Sequence, residues 1–72
     1  MKLVKINWVD SAHAANPWIG RDRTVTPAKC KSVGWVIHET KKFVTLAMSI
    51  APEQFGHAMT IPHGCITKIT KL

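Results

Sequence analysis

The sequence predicts an all-β domain, a small five-stranded barrel with a long first loop, occupying residues 1–72 as one unit. Three observations lead there. Apolar and polar residues alternate with period two in several separate segments, the pattern of half-buried strands. The stretch from Asp10 to Pro27 has no alternation and is punctuated by Asn16-Pro17, Gly20 and Thr26-Pro27. Pro62 then opens a tight 3₁₀ turn just ahead of the last alternating segment, its ring presetting φ.

In the first segment, residues 2–9, Val4, Ile6 and Trp8 share one face and Lys5 and Asn7 lie opposite. Residues 11–15 have the composition of a single helical turn capped by Asp10 or Ser11, too short to stand alone. Alternation returns over residues 30–39, with Val33, Trp35 and Ile37 on one face and Ser32, Gly34, Val36 and His38 on the other. Trp8 and Trp35 are expected in the core with Val4, Ile6, Val33 and Ile37. Gly34 in mid-strand implies a bend or the close approach of another backbone. Residues 39–42 form a hairpin connection to a strand over 43–49, where Val44, Leu46 and Met48 oppose Phe43, Thr45 and Ala47. Pro52 and Gly56 make 50–56 a loop, followed by short strands over 57–61 and 66–72.

This order resembles that of small SH3-like barrels, whose first loop is long and whose fourth and fifth strands are split by a 3₁₀ turn. A five-stranded OB-type barrel wants a helix between its third and fourth strands, and residues 50–56 are too short and too broken by Pro and Gly for one.

Hydrophobic residues make up 46% of the chain and charged residues 19%, a globular balance. Ten Lys and Arg against four Asp and Glu give a net charge of +6, which favours an anionic partner: nucleic acid, a nucleotide or an acidic protein surface. No apolar run reaches the roughly 20 residues of a membrane span. Lysines interrupt the first apolar stretch, unlike a signal peptide, and two cysteines without an export signal suit a reducing cytoplasm with free thiols. A core this small gains from self-association, so a homo-oligomer is expected.

The residue inventory points away from catalysis. Among the histidines and cysteines only His63-x-Cys65 is closely spaced, with no second pair of the kind a zinc site uses, so no metal or other cofactor is expected. Asp10, Asp22, Glu39 and Glu53 stand singly in loops or at strand ends, and no Gly-rich phosphate loop occurs. Binding has better candidates. Trp18, Arg21 and Arg23 in the first loop combine a stacking face with fork-like donors, suited to a base and its phosphate or to a protein hot spot. Alternatively Trp18 folds back to close one end of the barrel, with the arginines solvated or paired to Asp22. Lys29 and Lys31, with Lys41 and Lys42, gather around the central hairpin, and Lys68 and Lys71 follow along the last strand. They form either a basic face for an anionic ligand or the charge that protects strand edges.

Val4-Lys5-Ile6-Asn7-Trp8-Val9-Asp10-Ser11, the Ser32-Val33-Gly34 strand and the closing Ile61-Pro62 turn together resemble a family of short phage-encoded accessory proteins. Arg21 and Arg23 depart from a first loop that is more acidic in that family. The resemblance implies a non-enzymatic product acting in the bacterial host cytoplasm, one that binds and inactivates a host protein. Sequestering an anionic nucleotide signal and binding nucleic acid are the alternatives.

Overall fold

The computed structural model describes residues 1–72 and contains five strands and almost no helix. The strands are β1 (Leu3–Asp10), β2 (Ala28–Glu39), β3 (Phe43–Ile50), β4 (Phe55–Pro62) and β5 (Ile66–Lys71), with a 3₁₀ turn over His63–Cys65. They form one antiparallel sheet in the order β4-β3-β2-β1-β5.

β2 holds the sheet together by dividing its length. From Ala28 to Trp35 it pairs with β1, and from Trp35 to Glu39 it pairs with β3. Gly34 stands at the division. A Cβ there would lie 2.8 Å from the Ala47 carbonyl oxygen and 3.2 Å from Leu46 Cβ, so the close backbone approach expected at this glycine is present. A register shift between Val36 and His38 adds the twist of a bulge. The sheet therefore curls, and Val4 and Ile6 of β1 meet Val44 and Leu46 of β3 and Ile61 of β4 in one buried cluster. Trp8, Val36, Cys65 and Ile66 pack around it. Trp8 Nε1 donates to Ser32 Oγ at 3.0 Å, and that hydroxyl lies 4.0 Å from Met59 Sδ, a weak contact spanning the two halves of the curl.

The curl does not close. β4 pairs only with β3 and β5 only with β1, so the five-stranded barrel expected from the sequence is an open sheet with two edges. The 3₁₀ turn is tied to the β2–β3 turn, His63 N donating to the Lys42 carbonyl at 2.8 Å, and beyond it β5 pairs with β1 rather than with β4. Three further expectations are corrected. Cross-strand partners share a face, and Val4 faces Gly34 while Leu3 faces Trp35, so the core face of β2 is Ser32, Gly34 and Val36. Val33, Trp35 and Ile37 lie on the other side or at the bulge, Val33 51% exposed. Residues 11–15 contain no helical turn. β4 begins at Phe55 because its pairing with β3 continues through Gly56 to Phe55, opposite Ser49 and Ile50.

The molecule measures 51 × 21 × 20 Å, with a Cα radius of gyration of 15.4 Å. A compact domain of 72 residues would have a radius of about 11 Å. The shape is elongated. No helix is long and apolar enough to cross a membrane.

Candidate functional site

Lysines converge on the outer face of β5-β1-β2. Side chains alternate along each strand, so Lys5, Asn7 and Val9 of β1 project away from Val4, Ile6 and Trp8. The register sets Val33 beside Lys5, Lys31 beside Asn7 and Lys29 beside Val9. On the opposite flank Lys68 pairs with Asn7 and Thr70 with Lys5. Lys5, Lys29, Lys31 and Lys68 thus surround Asn7 on one side of a three-stranded sheet. Neighbouring strands are about 4.8 Å apart and same-face residues about 6.6 Å apart along a strand, so these charges occupy a dense array.

No carboxylate relieves it. Asp10 pairs with Ala28 on the opposite parity, and the closest acid–base contact in the molecule is His63 Nε2 to Glu39 Oε2 at 3.9 Å. None of the lysines or arginines lies within salt-bridge distance of an acid. Trp35, half-buried, belongs to the same outer face through its pairing with Leu3 and Ala47. Ala47 is fully buried yet stands outside the core cluster. The face therefore offers cations with an aromatic surface at one end.

A recess of about 300 Å³ opens beside Asn7, between Val9, Lys29, Cys30, Lys31 and Thr67. The register shift after Asn7 makes Thr67 an extra residue on β5, and its hydroxyl donates to the Asn7 carbonyl at 3.1 Å. Asn7 Oδ1 is buried without a hydrogen-bond partner, the one side-chain oxygen or nitrogen in the chain in that condition.

The residues expected to bind are split by the fold. Lys29 and Lys31 stand together on the basic face. Trp18, Arg21 and Arg23 stay in the β1–β2 loop, all exposed, with Trp18 and Arg23 beside Asn16, Ile19 and Gly20 in a separate shallow recess. Trp18 is 91% exposed, so it does not fold back to close the sheet. Lys71 pairs with Val4 and so faces away from Lys68, while Lys41 and Lys42 lie in the β2–β3 turn. Lys68 is among the lysines the sequence offers for a basic face, whereas Lys5, Asn7 and Trp35 were not singled out as site residues by sequence reasoning. The alternation of β1 already separated Lys5 and Asn7 from the core side, and only the register joins them to the lysines of β2 and β5.

No three His, Cys, Asp or Glu side chains come together as metal ligands would, and Cys30 and Cys65 are free thiols. The arrangement defines a small open β-sheet with a cationic, aromatic-edged outer face. Comparison with protein-family models, with curated proteins and with solved structures finds no match.

Proposed function

We propose that this chain is a non-catalytic domain that binds single-stranded nucleic acid across the outer face of β5-β1-β2. The observation that carries the reading is the convergence of Lys5, Lys29, Lys31 and Lys68 around Asn7 with no carboxylate among them. Like charges so close repel one another, and an array of this kind is stabilised when phosphates lie over it. Trp35 adds a surface on which a base can stack, the usual complement to a basic track for single strands. The likeness to phage accessory proteins supplies a setting in a bacterial host, where covering a nucleic acid would disable a host process. The 3₁₀ turn between β4 and β5 and the long first loop support an SH3-like relation with the barrel left open.

The test is fluorescence anisotropy with a labelled single-stranded oligonucleotide across a salt series. Four neutralised phosphates give a slope of log K against log salt of roughly −3. Lys31→Ala lowers affinity and makes the slope shallower by about 0.7, with a thermal midpoint equal to or slightly above that of the unaltered protein because it relieves repulsion in the array. A duplex of equal length binds more weakly. Salt-independent binding that tolerates Lys31→Ala and Lys68→Ala would overturn the reading, and an acidic protein surface would become the anionic partner to seek.

A further inference from the structure

We infer that the recess beside Asn7 is a nucleobase subsite that prefers adenine; this rests on the nucleic-acid reading above. The buried Asn7 Oδ1 has no partner in a sheet whose other buried side-chain polar atoms are all satisfied. Such an atom is costly to keep, and an unexplained one marks a place where something else supplies the hydrogen bond. The residues around it show what that something is. Lys29 and Lys31 on one side, with Lys68 paired to Asn7 on the other, provide for phosphate, while Val9 provides an apolar wall. The volume, about 300 Å³, is at the small end of ligand pockets and suits one base rather than a large cofactor.

The carboxamide decides among the bases. Its oxygen needs a donor and its NH₂ an acceptor, and adenine presents N6–H₂ beside N7 in that arrangement. The interaction has the Asn7 carboxamide turn towards the recess, so that an acceptor the fold leaves buried and unpaired meets a base held in place by the lysines. Thr67 fixes the strand for this purpose, since its hydroxyl holds the Asn7 carbonyl at 3.1 Å where the β1–β5 register shifts.

The experiment compares oligo-dA and oligo-dT binding by the full chain and by Asn7→Leu, with thermal midpoints for both proteins. Wild type should favour oligo-dA by about fivefold or more. Asn7→Leu should bring the two affinities together while raising the midpoint, because it removes a buried unpaired oxygen without emptying its space. An asparagine kept for folding would give a lower midpoint and an unchanged preference, which overturns the subsite. If Lys31→Ala weakens binding while Asn7→Leu leaves the base preference intact, the subsite fails and the basic face stands. If neither oligonucleotide binds, both fail.

Discussion

At the scale of single residues, Gly34 is the position with the least freedom. The missing Cβ lets β3 cross against β2, with the Ala47 carbonyl 2.8 Å from where that carbon would be. The neighbour is backbone, so it cannot swing aside as a flexible side chain does. Gly34→Ala should destabilise the fold by about 1–3 kcal/mol, visible as a lower urea midpoint with an unchanged slope. The same residue lies opposite Val4, whose burial depends on the close approach. Thr40 is a second local determinant: its hydroxyl accepts from the backbone N–H groups of Lys42 and Phe43 at 3.0 and 3.1 Å, fixing the β2–β3 turn. His63 braces that turn from the far side of the chain. Its Nε2 lies 3.0 Å from the Thr40 carbonyl, which can only accept, so the ring nitrogen donates.

At the scale of elements, the two sheet edges differ. β5 carries Lys68 and Lys71 and an irregular register beside Thr67, devices that discourage pairing with another strand. β4, Phe55–Pro62, carries no Lys, Arg, Asp or Glu, and Phe55 and Met59 are exposed along it. For a chain of net charge +6, antiparallel pairing of β4 with β4 about a two-fold axis would bring two copies together with the least charge repulsion. Light scattering should therefore give a dimer mass at high micromolar concentration, and Ala58→Lys, on an exposed position of this edge, should return it to monomer. The strands themselves were legible in the sequence, because alternation survives wherever one face is buried. The core face of β2 was not. Val33, Trp35 and Ile37 are bulkier than Ser32, Gly34 and Val36, yet the smaller set turns inwards because Leu46 packs over Gly34. Lys29 and Lys31 were legible as a basic pair, but their union with Lys5, Asn7 and Lys68 depends on pairings made across a long loop, which no local pattern encodes. The openness of the sheet was equally hidden, since strand order alone does not determine whether the outermost strands meet.

For the whole molecule, the elongated shape and the autonomy of the first loop belong together. Hydrogen bonds within that loop are local, such as Arg23 N to the Gly20 carbonyl at 3.0 Å and Ser11 N to Asp10 Oδ1 at 2.8 Å. Asp10 and Ala28, which flank it, are already cross-strand partners. Replacing Ser11 through Pro27 with Asn-Gly should leave the sheet folded and stabilise it by about 1–2 kcal/mol through a shorter closure. Oligonucleotide affinity should persist in that variant; a loss larger than that of Lys31→Ala would return the site to Trp18, Arg21 and Arg23. The sandwiching of β1 between β2 and β5 also bears on the time course of folding. β2, β3 and β4 form a meander of neighbouring segments, whereas Thr67 reaches an Asn7 that lies 60 positions away. Distant pairings are slow to find because the intervening chain must first be closed. The meander can assemble early as a nucleus, with β1 and then β5 docking afterwards. Such an order would make the lysine face the last part of the molecule to appear, after the core that supports it is already in place.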